Sequence, residues 1–580
     1  MGMVNSGTLH KQLLPAYVNT KNGKRWGYIN EGGRFILKPR FDEANDFQDN
    51  GLAIVTEKRK TGLIDQTGRF VLPPTYLSML PFTEGRAIVM DEAGFKIIDE
   101  LGRELTQKAY PLIKPFKGQR AIFTARTSSG SVQYGYLDVD GNEVIPAQFE
   151  NAYDFTDDKA LVQIGESKFA IINKLGEVIQ TFPYALMMGY QEGLIAYKKT
   201  FNDPWGYVDE QGRIVISPQF STALPFQEGR AVVNTSDGMK NEYGVIDKAG
   251  RFIIPPKYHD CKPLGEQRIA VGIASDSQQP FVGSIYAIAD LNGYLLTDFI
   301  YDHVGEYKEG LSTVTVDRSS FFIDRSGDAA TSLPVIPGIG SLDLEGNIIQ
   351  AHVDHRLLYY NRQGEVVYKP NSLFPLNDQY RIRMKKYNPN KDYLVYYPHV
   401  EGLHNENAQE QVNAYLKQKA KAMNVPENEP LDYNYFGTFA VEFFKKDLLV
   451  IKIEGYHYPF GAAHGMPYQV HVHIDLMTGA IYELSDLFKP DSDYVKVISD
   501  LVEKQMQEEA TQGDTYYFLD QYEGIQPNQP FYITEDRLAI YFQPYEIAAY
   551  AAGFPTFFIR YEELIGLIDV EGAFWKSFKN

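Results

Sequence analysis

Lys24-Arg25-Trp26-Gly27-Tyr28-Ile29-Asn30-Glu31-Gly32-Gly33-Arg34-Phe35-Ile36-Leu37-Lys38-Pro39-Arg40-Phe41-Asp42 returns further along the chain as Pro204-Trp205-Gly206-Tyr207-Val208-Asp209-Glu210-Gln211-Gly212-Arg213-Ile214-Val215-Ile216-Ser217-Pro218-Gln219-Phe220. A self-similar period constrains architecture before any local assignment does. Weaker copies fill the space between and beyond these two. Their clearest marker is a turn glycine after a short apolar strand: Gly33, Gly68, Gly102, Gly141, Gly176, Gly212, Gly250, Gly293 and Gly327, with steps of 34 to 43 residues. The strand before each glycine ends in an acid or amide, as in Leu63-Ile64-Asp65 and Ile171-Ile172-Asn173. Asp or Asn opening a turn and Gly closing it is type I turn chemistry, and flanking apolar residues make a β-hairpin.

Proline and an aromatic follow each hairpin (Pro39 and Phe41, Pro74 and Tyr76, Pro146 and Phe149, Pro218 and Phe220, Pro256 and Tyr258). Proline cannot donate to a sheet ladder, so it ends the second strand. Phe47, Phe82 and Phe226 then introduce a third, such as Gly85-Arg86-Ala87-Ile88-Val89. About three short antiparallel strands cannot bury their own apolar face, so neighbours must stack. The fold class this predicts is multidomain: an all-β array of antiparallel hairpin repeats, open solenoid or propeller-like, then an α+β sandwich. Units of about 36 residues and three strands fall short of a four-stranded blade, which favours the open form.

The repeated residues resemble the WG repeat family, named for the pair at Trp26-Gly27 and Trp205-Gly206. The resemblance covers roughly residues 15 to 330 and implies an interaction or structural repeat without assigned chemistry. Tyr134-Gly135 and Tyr243-Gly244 replace the tryptophan, while Phe169-Ala170 and Tyr286-Ala287 lose the glycine. An aromatic survives in these copies, as packing requires. Residues 1–330 are expected to hold eight or nine units. Residues 331–380 read as degenerate half-repeats and linker, with hairpins at Leu342-Asp343-Leu344-Glu345-Gly346 and Tyr359-Tyr360-Asn361-Arg362-Gln363-Gly364.

The chain has 580 residues, 44% hydrophobic, with 41 Tyr and 35 Phe against 3 Trp. Aromatic enrichment suits half-buried pleated surfaces. A net charge of −19 argues against a nucleic-acid partner. Cys261 is the only cysteine, which excludes an intramolecular disulfide and a cysteine-based metal knuckle. No run of 18 apolar residues and no signal-peptide stretch occurs, so a cytoplasmic location is expected unless a leader was removed.

From Arg381 helical periodicity appears. Ala408, Val412, Tyr415, Leu416 and Met423 share one helical face, as do Tyr494, Val497, Ile498, Leu501, Val502 and Met506, with Asp491 or Ser492 as N-cap. Strands at 438–444, 448–456, 468–475, 538–542 and 556–561, with both helices on one side, predict the α+β sandwich over residues 381–580.

Tyr397-Pro398-His399-Val400-Glu401-Gly402-Leu403, Gly461-Ala462-Ala463-His464-Gly465, Leu484-Ser485-Asp486-Leu487-Phe488 and the stretch from Phe542-Gln543-Pro544-Tyr545-Glu546 to Tyr550 and Gly553 resemble, in order, the extracytoplasmic domain of RsiV-type anti-sigma factors. That resemblance implies a domain that binds lysozyme-like proteins. Related domains accompany some peptidoglycan deacetylases. The leader, membrane span and sigma-binding segment of that family have no counterpart in this sequence, and the binding domain is what the resemblance carries over.

Three constellations could carry chemistry. His471 and His473 alternate onto one strand face and, joined by His457 or His464, could hold zinc; the favoured reading is plain strand residues, with no metal or cofactor. The turn acids Asp65, Asp99, Asp138, Asp209, Asp247 and Asp324 could line up for calcium. They are expected instead to accept bonds from their own turns. Exposed aromatics could stack on sugars or peptides, and Tyr545, Tyr550 and His464 are the candidate contact residues. Gly27, Gly33, Gly68, Gly141, Gly206, Gly212 and Gly250 are expected to be structural, with Trp26 and Trp205. No phosphate-cradling loop, nucleophile elbow or dinucleotide motif occurs. The function expected is a non-enzymatic bacterial binding or scaffold protein, its partner a protein or a cell-wall glycan. A cell-surface sensor of lysozyme-like proteins and a metal enzyme or hydrolase using the histidines are the alternatives.

Overall fold

A computed structural model describes residues 13–579 apart from 237, 239, 428 and 514–516. The chain forms two compact units: Arg25–Pro370 with the strand residues before Val18, and Asn371–Asn580 with Val18–Lys24.

The first unit is ten small antiparallel sheets taken in chain order, from residues 14–41 to residues 340–368. Most have four strands, because a two-residue strand such as Glu43–Ala44, Asn151–Ala152 or Thr222–Ala223 adds an edge in front of the three expected. The two middle strands of each sheet are buried, and their side chains point alternately into the joints on either side. Ile122, Tyr136 and Ile145 of the fourth sheet meet Phe155, Val162 and Ile172 of the fifth. Leu161, Phe169 and Ile171 of the fifth meet Met187, Ile195 and Tyr197 of the sixth. The series does not end at the tenth sheet. Ile348, Leu357 and Tyr359 pack on Leu14, Ala16, Tyr17 and Ile29 of the first. Tyr359 Oη donates to the Pro15 carbonyl at 2.7 Å, and Tyr368 Oη to Tyr17 at 2.8 Å. The array is a closed ring of the propeller kind, and residues 331–368 complete the ninth sheet and supply the tenth. Closure corrects the expectation of an open form: the two-residue strands raise three strands to four.

The Trp-Gly pair has a local cause. Opposite Gly27 the last strand of the sheet bulges, with a register shift between Trp26 and Tyr28, and a Cβ there would meet Leu37 O at 2.3 Å and Pro39 N at 2.7 Å. Gly62, Gly135, Gly206 and Gly244 face the same bulge, with equally forbidding distances of 2.5 to 2.8 Å. Where alanine stands instead, the bulge is gone: Phe169, Ala170 and Ile171 pair in unbroken register with Phe182, Thr181 and Gln180. Beside Ala287 the last strand is reduced to isolated bridges, Tyr286 with Tyr301 and Ala289 with Leu295. The tyrosine after the glycine closes the joint. Tyr28, Tyr136 and Tyr207 donate to the carbonyls of Asn45, Tyr153 and Leu224 at 2.7–2.8 Å. Each also receives the next unit's phenylalanine, Phe47, Phe155 or Phe226, with ring centroids 4.8–4.9 Å apart.

The second unit is built on a seven-stranded sheet running in sequence order from Leu373–Pro375 to Ile481–Tyr482. Its one parallel pair joins Tyr393–Glu401 to Tyr433–Lys445, a pairing that needs a crossover. That crossover is helix α1, Glu406–Lys419, capped by Asn405 accepting from Ala408 N. Asn413 of α1 is buried and exchanges bonds of 2.7 and 2.8 Å with the backbone of Val400. Strand Leu448–Pro459 divides two cores: Leu449, Ile451 and Ile453 pack with Val412 and Leu416 of α1. Leu448 and Val450 pack with Ile498, Val502 and Met506 of helix α2, Tyr494–Gln512, and with the sheet of Phe531–Ile533, Arg537–Tyr541 and Thr556–Arg560. The helices therefore lie on opposite faces, not one, and α2 takes Asp493 as its N-cap position. Within this unit Asn19 and Asn371 exchange three hydrogen bonds of 2.7–3.0 Å.

Candidate functional site

The hairpin between strands Leu448–Pro459 and Met466–Asp475 carries the Gly-rich loop. Gly465 is fixed there by close packing, since a Cβ would meet His457 O and the Tyr456 ring at 2.6 Å. Its N–H donates to Tyr456 Oη at 2.9 Å. That contact presents His464 outward. A second loop arrives from 542–553, anchored by buried Phe542, Ile547 and Ala548. Gln543 N donates to Glu546 Oε2 at 2.7 Å, and Gln543 Nε2 reaches Gln469 O at 3.3 Å. This tight turn holds Tyr545 at φ +69°, a left-handed conformation that costs a bulky residue about 1 kcal/mol or more.

The three residues singled out from sequence come together. Tyr545 Oη and His464 Nε2 are 3.2 Å apart, and Tyr550 Oη donates to the Gly465 carbonyl at 3.0 Å. The Tyr550 ring lies 4.1 Å from the imidazole and 5.6 Å from Tyr545, centroid to centroid. Tyr545 remains 49% exposed and Tyr456 41%. Four rings thus form an outward-facing aromatic surface with hydroxyl and imidazole edges. Tyr456 was missed in the sequence because strand alternation gave it no distinction. Chemically the surface can stack and hydrogen-bond. It holds no paired carboxylates for acid–base work.

The other histidines point elsewhere. His473 is wholly buried, stacked at 4.1 Å and 2° on Phe531, and neither ring nitrogen has a partner. His471 stacks on Tyr532 at 4.5 Å, with Glu442 Oε2 4.0 Å from Nε2. Burial pushes the His471 imidazole down to about 3, helped by Lys452, and drives His473 well below the ordinary range. Glu442 works the other way, but desolvation outweighs one carboxylate at that distance. His457 stacks on Tyr433 at 4.6 Å, five residues along the neighbouring strand from the partner of His471. That spacing is about 16 Å, beyond a shared metal's reach.

The turn acids bond to their own backbone. Asp65, Asp138, Asp209 and Asp324 each accept from the second and fourth following N–H at 2.8–3.2 Å. Asp99 and Asp247 do the same, and Asp99, Asp209 and Asp247 add the guanidinium groups of Arg103, Arg213 and Arg251. Gly33, Gly68, Gly141, Gly212 and Gly250 close these turns at φ +75° to +82°. Trp26 packs on Tyr17 at 4.8 Å, and Lys198 lies over Trp205.

Comparison with known families agrees with this division. The family model for the WG containing repeat matches residues 26–60, 62–92, 134–166, 205–237 and 243–273. A second model, described as a protein of unknown function (DUF3298), matches residues 485–562. A DUF3298 family member from Bacteroides fragilis is similar at 17% identity over 32% of this chain and 91% of its own, with a TM-score of 0.24. A DUF3298 family protein from Pseudomonas aeruginosa PAO1 is similar at 16% identity over 34% and 95%, with a TM-score of 0.26. BamB from Moraxella catarrhalis is similar at 14% identity over 50% and 92%, with a TM-score of 0.29. No curated protein matches the sequence. Among the described residues no helix is long and apolar enough to cross a membrane. The chain carries WG containing repeats followed by a C-terminal DUF3298 domain.

Proposed function

We propose that the protein is a non-enzymatic binding or scaffold protein whose C-terminal domain recognises a protein partner through Tyr456, His464, Tyr545 and Tyr550. One observation carries this reading: a tyrosine held at φ +69° with its ring half exposed over His464. Backbone strain of that kind persists where the surrounding structure enforces it, commonly at recognition sites. Rigid tyrosines supply contact area at small entropic cost. The buried, ring-stacked His471 and His473 favour a binding role over a metal-dependent hydrolase. The net charge of −19 favours partners other than nucleic acid.

The test is quantitative capture from source-cell extract with full-length wild type and a Tyr545→Ala/Tyr550→Ala variant, paired with sedimentation on insoluble peptidoglycan. The reading expects a protein recovered by wild type and lost by the variant. A partner set that the double substitution leaves intact refutes it, and variant-sensitive sedimentation with peptidoglycan assigns the surface to cell-wall glycan. The resemblance to RsiV-type domains supports a narrower second reading, a sensor of lysozyme-like proteins. Surface-immobilised full-length protein should then bind lysozyme, and the same double substitution should abolish the signal.

A further inference from the structure

The seam where the ring closes differs chemically from most of the other joints. On each middle strand one residue lies opposite the joint-forming side chain two positions before the turn acid or amide. In seven sheets it is apolar: Ile54, Ile88, Ile122, Leu161, Ala196, Val232 and Ala270. In the ninth it is Thr313, buried with its hydroxyl donating to the Leu342 carbonyl at 2.8 Å; in the tenth it is Gln350, opposite Tyr359, and it is only 7% exposed. A buried amide where the repeat calls for an aliphatic is the sort of local violation that marks a site.

Gln350 has a polar partner on its own strand: its Nε2 lies 3.0 Å from His352 Nε2, and Asp46 stands on the same cavity wall. All three line a cavity of about 350 Å³ together with Trp26, Asn45 and Gln48, on walls contributed by the first, second, third and tenth sheets. The Asp46 residue is itself exposed to water at this cavity; desolvation by the surrounding protein still raises its carboxyl above the ordinary carboxylate range, and neighbouring Asp343 adds to the rise. The described lining contains no Lys or Arg. A carboxylate and an indole thus line one cavity, and an indole wall is the surface a cation prefers.

We propose that this cavity binds an organic ammonium group on an alkyl stem, with Asp46 as counter-ion, Trp26 as the ring face, and Leu357, Pro15 and Pro81 along the stem. A neutral sugar would leave the carboxylate uncompensated. The group arrives on a free alkylamine or on a lysine side chain, and two probes separate these sources: cadaverine and Nα-acetyl-lysinamide.

Each is titrated into full-length protein by calorimetry, with 1-pentanol as the uncharged control. Saturable binding of one amine per chain is expected. Asp46→Asn should weaken it about threefold or more, as loss of an exposed counter-charge does, while Gln350→Ile, restoring the repeat's own residue, should weaken it as well. Thermal unfolding of both variants near wild type keeps the comparison clean, and Trp26→Leu gives an independent check on the ring face. Cadaverine binding alone assigns free amines, and binding of both probes assigns lysine side chains too. The proposal is overturned if neither amine binds, if Asp46→Asn leaves the affinity unchanged, or if pentanol binds as tightly as cadaverine.

Discussion

At the scale of single residues, the glycine of the Trp-Gly pair has a reason that does not involve tryptophan. Its Cα lies against a bulged backbone, and alanine is accepted where the bulge is absent, as at Ala170. Gly27→Ala or Gly206→Ala should therefore lower unfolding free energy by about 2–3 kcal/mol, the upper part of the overpacking range. Ala170→Gly should cost about 1 kcal/mol or less. Urea denaturation of the three variants checks the contrast, and equal losses would mean that the bulge is not the cause. The buried histidines make a second residue-level prediction. Their folded pKa values lie below the unfolded value of about 6.5, so above that pH they add no pH dependence. As pH falls from about 6.5 toward 3, the unfolded chain binds protons the native chain refuses, and stability drops with acidification by up to about 1.4 kcal/mol per pH unit for each histidine. His471→Phe/His473→Phe should flatten the stability profile between pH 6.5 and 4.5. A slope unchanged in the double variant would place the acid sensitivity elsewhere.

At the scale of elements, the last strand of many ring sheets is an edge, and it exposes apolar side chains: Ile36, Ile214 and Phe252 are each 40% exposed or more. Such edges template intermolecular pairing. Pro39, Pro74, Pro146, Pro218 and Pro256 stand in these strands and withhold an N–H from any incoming strand. Replacing Pro39 and Pro218 together by threonine should leave the fold intact and promote self-association, seen as a mass increase in light scattering at rising concentration; a strictly monomer-like response would assign the prolines to bulge geometry alone. These strands and their turns were legible because each carries its own chemistry in adjacent letters, whereas the prolines, expected to end the strands, lie inside them at the edge, where a missing N–H breaks no ladder bond. The two-residue strands were not legible, since two residues have no periodicity, and their omission is what made the units look too small for blades. The aromatic surface was half legible for the same reason. His464, Tyr545 and Tyr550 stand in Gly- and Pro-marked loops that invite attention, whereas Tyr456 is one of many strand tyrosines. Gln350 becomes conspicuous only after strand register aligns it with Ile54 and Ile88.

At the scale of the first unit, closure changes how damage spreads. In an open stack, each repeat touches only its neighbours and a terminal unit frays by itself. In a ring the first and last sheets are neighbours, although Ala16 and Tyr359 are separated by most of the unit's sequence. Ala16 is buried at this seam beside Tyr359 and Leu357. Ala16→Glu places an unpaired carboxylate there, at a cost on the order of 3 kcal/mol or more. A closed ring predicts that amide-exchange protection in the strand Ile348–Val353 falls together with that of Gly23–Ile29, and that sheets farther round lose protection in order of their distance from the seam on both sides. Tyr359→Phe, which removes only the bond to the Pro15 carbonyl, should give the same pattern more weakly, at about 1 kcal/mol. Protection lost in the first sheet but unchanged in the tenth would mean that the ends of the array are energetically independent. Because Asp46 and Gln350 lie on the two sides of this seam, an amine that binds both should reverse part of the Tyr359→Phe loss, which ties the proposed site to the closure of the ring in one exchange experiment.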